Sequence, residues 1–322
     1  MSLGDLERGA PVPSATAEVT LRLNAVVVAV HDSTPRLLTV PHRDRLPALP
    51  YGLLHDDDRT FTRALRRSVG EQTGLELGYI EQLYTFGDVG REPGETARAL
   101  SVAYLALVRD APTQHEARWI DWYDLLPWED WRDGRPALID DELIPRLRAW
   151  AATDPVEKGR RSERISIVFG LDPAWDNIRV LDRYELLWEA DVVSEAVRDR
   201  GDASAVTATD DRWQGRPLAL DHRRIAATAL GRLRGKLTYR PVVFELLPPT
   251  FTLRTLQNVV EALSGVSLHT QNFRRLVERG GFVEGTGEID VQTGGRPAEL
   301  FRFRPEVLRE RPRPGLGISW RS

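Results

Sequence analysis

The sequence predicts an α+β protein, on three observations. Residues 21–30 form a Val-rich apolar run without helical spacing, which reads as a buried strand. Residues 60–73 read as a helix, with Phe61, Leu65 and Val69 four apart on one face, and it stops at Gly74. Beyond Asp221, three helical stretches (222–237, 252–263 and 268–279) are followed by two alternating stretches (282–284 and 299–303) around a Gly-rich tip. A sheet with helices comes first, and a small helical unit with two strands closes the chain.

The chain has 322 residues, enough for about two domains at roughly 100–200 residues each. Apolar residues make up 41% and charged residues 29%, the balance of a globular chain rather than a disordered one. There is no cysteine, which excludes disulfides and thiolate metal sites and suits a reducing cytoplasm, the expected location. No apolar run approaches the roughly 20 residues of a membrane span, and residues 1–17 lack the basic-then-apolar order of a signal peptide. The net charge of −4 conceals an asymmetry: residues 222–322 carry 17 Arg and Lys against 9 Asp and Glu, and the rest carries 27 against 39. A basic unit joined to an acidic one points to a polyanion that meets the C-terminal part.

The remaining elements follow in order. Residues 36–40 pair with the first strand across a turn at 32–35, and 41–50 form a loop broken by proline and charge. Residues 81–86 and 100–108 read as strands joined by a polar loop, and 140–152 as a helix. These give a mixed-sheet domain over 20–153, after a Gly-, Pro- and Ser-rich tail at 1–19. Residues 154–220 read as a helical middle segment, entered through a linker at 154–159. Its stripe of Val180, Tyr184, Leu187, Trp188 and Val192 suits core packing or a dimer seam. Asp221 is the expected N-cap of the next helix, and Thr252 that of the one after. The roughly four-residue turn at 265–268 suits helix-turn-helix geometry. Three helices and two strands over 221–312 make a winged helix-turn-helix order, and 313–322 reads as a C-terminal tail.

Within the first domain, Arg66, Arg67, Ser68, Val69, Gly70, Glu71, Gln72, Thr73 and Gly74 resemble the Nudix helix. That element carries Arg-Glu-x-x-Glu-Glu-x-Gly and collects its acids on one face around Mg²⁺. Arg67, Thr73 and Gly74 match, and Gly52 upstream is present. Ser68 replaces the first glutamate and Gln72 one of the later pair, so Glu71 alone remains as a vestigial metal ligand. A hard dication needs several oxygen ligands, so Mg²⁺ is expected to be weak or absent and no catalytic residue is assigned. The acidic run Asp56, Asp57 and Asp58 offers a substitute ligand. The resemblance implies a Nudix-like α/β/α sandwich with a pocket for a nucleotide. Candidate effector contacts are Arg43, Arg45, Arg67 and Arg91 for negative groups, Tyr51 and Phe86 (with Trp119) for stacking, and Glu71.

The chain as a whole resembles the NrtR-type Nudix-related transcriptional regulators. The shared residues include Asp221 and His222, the run Leu233, Arg234, Gly235, Lys236 and Leu237, then Phe244, Glu245, Leu246 and Leu247, and finally Phe251, Thr252, Leu256, Gln257, Asn272, Phe273, Arg274 and Arg275. The resemblance runs from about residue 21 to 312 and is densest after Asp221; NadQ-like regulators share the plan. It implies a repressor of NAD-metabolism or sugar-utilisation genes, controlled by a nucleotide effector such as ADP-ribose, NAD or ATP.

The residues support DNA binding independently. The start of the second helix of a helix-turn-helix enters the major groove. Here it offers His269, Thr270, Gln271, Asn272 and Arg275, of which Gln and Asn suit adenine and Arg suits guanine. Phe273, Leu276 and Val277 form the inward face. Arg274 and Arg279 suit phosphate, Thr252 heads the preceding helix, and Arg296 follows Gly294 and Gly295 at the wing tip. One such unit reads a half-site, so a homodimer is expected. Two rivals predict different chemistry: an active Mg²⁺-dependent Nudix hydrolase of ADP-ribose-like diphosphates, and a protein-binding adaptor.

Overall fold

The computed structural model describes residues 19–88, 98–172, 174–201, 212–290 and 297–310. The long strand β1 (Val19–His31) is the spine of a mixed sheet. Along one edge it runs parallel to β6 (Arg98–Leu107), in register from Val19 opposite Arg98 to Val28 opposite Leu107. Along the other it pairs antiparallel first with β4 (Tyr51–Leu53) and then with β2 (Thr34–Pro41). The short β3 (Pro47–Ala48) and β7 (Arg118–Asp121) add to β2, and β5 (Tyr79–Phe86) adds to β6. Residues 23–29 of β1 are buried on both faces, which explains why that stretch, Asn24 apart, is apolar without alternation.

Two cores divide those faces by the two-residue period of the strand. Leu23, Ala25, Val27 and Ala29 pack with Ala64, Leu65 and Val69 of α1 (Phe61–Thr73). Val26 and Val28 face the other way, into a core shared with the rest of the chain. Thr60 caps α1 by accepting the Arg63 amide, and Gly74 ends it at φ 72°, a left-handed conformation that suits glycine.

The second layer holds α2 (Trp122–Leu125), a 3-10 turn (Pro127–Glu129), a π-type turn (Ile139–Leu143) and α3 (Ile144–Ala152). Then come α4 (Lys158–Val168), α5 (Val180–Glu189) and α6 (Ser194–Asp199). Of the stretch expected as a helical middle segment, residues 154–159 are largely exposed and the helices after them are packed. Ile165, Val180, Tyr184, Leu187 and Ala196 are all in the main core, as is Val192 just beyond the end of α5, whereas Trp188 is 38% exposed.

After it come α7 (His222–Leu237), a 3-10 turn (Val242–Leu246), α8 (Leu253–Ser264), α9 (Thr270–Gly280), β8 (Val283–Asp290), β9 (Ala298–Phe303) and α10 (Val307–Glu310). This is the winged-helix order. Asp221 stands at the N-cap of α7 but makes no side-chain cap, because its φ of −94° and ψ of 22° are not the extended geometry a cap needs. Thr252 does cap α8, through the Thr255 amide. The wing is tied back by paired backbone bonds between Phe251 and Phe301, and by stacking of Phe244 on Phe303 at 4.3 Å.

Helix α7 is buried on nearly every side, including Arg223 and Arg234, both at 0% exposure. Arg234 shares a buried carboxylate with Arg183. Arg183 reaches Glu129 through Nε at 2.6 Å and Nη2 at 3.0 Å, and Arg234 donates to Glu129 Oε2 at 2.5 Å. Removing the carboxylate would leave two buried cations uncompensated. Glu129→Ala is therefore expected to cost about 3–5 kcal/mol of stability in urea unfolding, and a loss below about 1 kcal/mol would show that the arginines have another counter-charge.

Candidate nucleotide pocket and nucleic-acid interface

On α1 the residues of the altered Nudix motif are engaged in structure. Gly52 of β4 lies so close to α1 that a Cβ there would sit 2.0 Å from Ser68 Oγ. Ser68 is 3% exposed, so a glutamate side chain has no room to leave this position towards solvent. Gln72 accepts the Tyr51 amide at 3.3 Å and donates back to the Tyr51 carbonyl, pairing with that backbone as a strand would. Arg67 is bound by Asp58 at 2.8 Å and by the Leu53 carbonyl at 3.3 Å, and the Arg67 guanidinium holds the Asp58 carboxyl below its usual range. Glu71 is exposed and meets Arg67 at 3.4 Å. Among the described residues, no three His, Asp or Glu are grouped to hold a metal ion. With Ser68 and Gln72 committed elsewhere, the residues on this face do not fit the Mg²⁺ that a Nudix helix binds.

Beside them lies a cavity of about 90 Å³. Arg22 and Asn24 of β1 form one wall, His42 and Arg43 of the loop after β2 another, and Tyr51 of β4 a third. Leu220 and His222, at the start of α7, close it. Tyr51 lies between two imidazoles, 6.1 Å from His42 and 6.3 Å from His222, with the Arg22 guanidinium 6.0 Å from its ring. His222 accepts the Leu49 amide at Nδ1 (3.0 Å), and its Nε2 is 3.0 Å from the Asn24 side-chain nitrogen. The cavity is far smaller than the roughly 300–1,000 Å³ of whole-ligand sites, so it suits one group of a larger molecule.

Of the expected effector contacts, Arg43 and Tyr51 meet in this cavity. Arg67 and Glu71 meet each other on α1, and Arg45 is exposed on the loop at φ 65°, outside the cavity wall. Phe86 is not a stacking platform. It is 2% exposed, edge-on to Tyr84 at 5.2 Å, because a bulge between Gln82 and Tyr84 breaks the alternation of β5 and turns it inward. Trp119 donates its indole N–H to the Ala111 carbonyl at 3.0 Å. Arg91 lies outside the described residues. Sequence reasoning does not assign Arg22, Asn24, His42 or His222 to the pocket; the signals for them are a polar residue interrupting the apolar run of β1 and the place of His222 among the residues of the family resemblance.

A larger cleft of about 630 Å³ lies on the other side of α7's start, between Trp188 and Asp88. Five of the carboxylates that line it are paired: Glu185 and Asp88 with Arg224, Glu189 with Arg164, Glu195 with Arg223, and Asp199 with Arg198.

At the far end, α9 presents Thr270, Gln271, Asn272, Arg274 and Arg275 to solvent, with His269 exposed just ahead of them. Phe273 and Val277, at 3% and 0% exposure, anchor the opposite face. The entry to α9 is held from α8. Glu261 accepts the Leu268 amide at 2.8 Å, and Gln257 donates to the Leu268 carbonyl at 2.8 Å. Thr252 is not on this surface: it is 6% exposed and its hydroxyl is spent on the α8 cap. Arg296 lies outside the described residues.

The turn between α8 and α9 is also bound to the sheet domain. Trp131 N–H donates to the Gly265 carbonyl at 2.7 Å, Ser267 donates to the Arg132 carbonyl at 2.6 Å, and Tyr123 donates to the Ala262 carbonyl at 2.7 Å. Burial pushes Tyr123 up to about 12, so its phenol keeps the proton it donates. Gly265 sits at φ 71°, and a Cβ there would meet Arg234 Nη2 and the Glu129 carbonyl, each at 2.5 Å.

Fold and site together define a Nudix-type domain bonded to a winged helix. Residues 243–303 match the family model described as the NrtR DNA-binding winged helix domain. A segment of 86 residues is 41% identical to the ADPR responsive transcriptional repressor NtrR of Acinetobacter baylyi, spanning 27% of this chain and 34% of that repressor's length. Over 90% of the chain and 95% of its counterpart, the fold is shared with Shewanella oneidensis NrtR complexed with a 27mer DNA (TM-score 0.55, 21% identity). It is shared also with a MutT/nudix family protein from Enterococcus faecalis, over 92% of this chain and 90% of that one (TM-score 0.52, 14% identity).

Two substitutions test these assignments. Gln72→Glu brings back a consensus acid but removes the donor to Tyr51, and is expected to lower stability in thermal unfolding by about 1–3 kcal/mol; unchanged stability would contradict the pairing. Thr252→Ala is expected to cost about 1 kcal/mol of stability while leaving DNA affinity unchanged. A selective loss of DNA affinity in that variant would return Thr252 to the interface.

Proposed function

We propose that the protein is a homodimeric DNA-binding transcriptional repressor of NAD-metabolism genes, whose affinity for its operator is set by a nucleotide held in a catalytically silent Nudix domain. The observation that carries this reading is the α9 face: a row of base-reading and phosphate-binding side chains, exposed on a buried anchor. ADP-ribose is the effector of choice, since the Acinetobacter relative is named as responsive to it, with NAD and ATP as the other two to test. The protein is not a hydrolase on this reading, because Ser68 and Gln72 are engaged in structure and Glu71 is left alone.

In the dimer, two α9 helices read half-sites roughly 34–36 Å apart, one DNA turn. The effector acts by preferring one arrangement of the two winged helices over another.

The test is a titration of the full chain against its own upstream DNA, with and without ADP-ribose, NAD and ATP. Tight, salt-sensitive binding that one nucleotide alters is the expected result. Gln271→Ala and Arg275→Ala are expected to relax sequence preference at a cost of about 1–3 kcal/mol each, and Arg274→Ala to weaken binding to all sequences and flatten the salt dependence. Binding that ignores both sequence and nucleotide would refute the regulator. In that case Mg²⁺-dependent cleavage of ADP-ribose, abolished by Glu71→Gln, becomes the assay that matters.

A further inference from the structure

We propose that Arg132 is a positioning residue for DNA recognition: it pins the α8–α9 turn to the hairpin between β1 and β2, and so fixes the one spacing of half-sites that a pair of α9 helices accepts. This rests on the function proposed above and adds which contact orients the reading helix.

Arg132 meets both domains at once. Its guanidinium grips Asp130 through Nε at 2.8 Å and Nη2 at 2.7 Å, while Nη1 donates to the Ser33 carbonyl at 2.6 Å. Its own carbonyl accepts the Ser267 hydroxyl at 2.6 Å. One residue earlier, the Trp131 amide donates to the Gly265 carbonyl, and Trp131 forms a parallel bridge with Val266. The guanidinium also lies 5.3 Å from the Tyr123 ring, whose hydroxyl donates to Ala262 of α8. All three guanidinium nitrogens are engaged, and the side chain is only 24% exposed, so Arg132 does not serve as a phosphate contact itself.

The anchor on the sheet is a tight turn. His31 pairs with Thr34, which leaves Asp32 and Ser33, at φ 45° and 63°, to reverse the chain. A two-residue hairpin of this kind needs the left-handed region at both positions. Neither residue is glycine, so the conformation costs energy and persists where its neighbours hold it. The bond from Arg132 to the Ser33 carbonyl is such a hold. On the other side, the order continues from Ser267 into α9. Glu261 and Gln257 bind the amide and carbonyl of Leu268, two residues before α9 begins at Thr270. From the β1–β2 turn to the first turn of α9, every step is a direct hydrogen bond or the chain itself.

A dimer whose reading helices are each held this way presents them at one separation and one rotation. One base pair added between half-sites moves the second by about 3.4 Å and turns it by about 34–36°. A hinged winged helix can follow that change, and a pinned one cannot.

The experiment titrates the full chain against three duplexes made from its own upstream DNA: the bound operator, the same operator with one base pair added between its half-sites, and a single half-site. Wild type, Arg132→Ala and Ser267→Ala are compared. Ser267 is exposed on the turn, so removing its hydroxyl leaves the fold intact and keeps the test open if Arg132→Ala does not fold. Wild type is expected to lose at least about tenfold in affinity on the lengthened operator, and each variant less than about threefold, with half-site affinity equal in all three proteins. A spacer penalty that is the same in all three, large or absent, would overturn the positioning role and leave the regulator standing. So would a variant that loses as much on the half-site as on the operator. A wild type that binds none of the duplexes specifically would remove the regulator reading and the positioning role together.

Discussion

The arrangement of the two domains depends on one buried charge cluster. Glu129, Arg183 and Arg234 are each at 0–1% exposure, and two cations share one anion. The excess charge is met by backbone: Arg183 donates to the Val168 and Asp176 carbonyls, and Arg234 to those of Glu129, Asn177 and Leu263. The Trp175 ring lies 3.6 Å from the Arg183 guanidinium and adds its π face. Such a cluster costs several kcal/mol per ion to desolvate, so its value lies less in stability than in specifying a single arrangement. Each guanidinium bonds in several fixed directions at once, which a lysine ammonium cannot reproduce. Those directions fix the ends of α4 and α8, the body of α5 and α7, and the turn after α2 relative to one another.

The winged helix is therefore not a free module at the end of a tether. Its helix-turn-helix accepts hydrogen bonds from Trp131 and Tyr123 and donates one from Ser267 to the Arg132 carbonyl, and its first helix is buried. Helix α7, about 24 Å long at 1.5 Å per residue, touches the small cavity with His222 at one end and the charge cluster with Arg234 near the other. A rigid, packed element spanning both is the material that coupling needs. The coupling itself requires an effector that favours one of two arrangements.

Much of this was legible in the sequence, and the reasons are physical. Strand β1, helix α1 with its glycine stop, and the three helices before the wing announced themselves through period and capping, which are local properties. The exposed row on α9 followed from the same periodicity once Phe273 and Val277 were placed inward. What stayed hidden was long-range. Phe86 read as a stacking ring because nothing local marks the bulge that buries it. Thr252 read as a cap and also as a contact, and burial left it only the first. The basic excess after residue 222 overstated the surface available to a polyanion, since Arg223, Arg234 and Lys236 are interior and engaged with Glu195, Glu129 and Glu81. Composition counts charges without saying which of them face water.

The altered Nudix helix shows the same distinction between a missing function and a new structural one. By sequence alone, Ser68 and Gln72 are two lost metal ligands. In place, Ser68 lets β4 approach α1 through Gly52, and Gln72 extends the hydrogen bonding of that strand by pairing with Tyr51. Tyr51 is in turn a wall of the cavity that His222 closes. The positions that would have held a metal against a diphosphate now hold the pocket wall, and through it the floor on which α7 rests. A glutamate at 72 would face the Tyr51 carbonyl, and one at 68 would displace β4, so restoring the acids would dismantle this wall of the cavity. On this geometry, the acids of a Nudix helix and the pairing of β4 with α1 make opposing demands on the same positions, and this chain has the residues that the pairing needs.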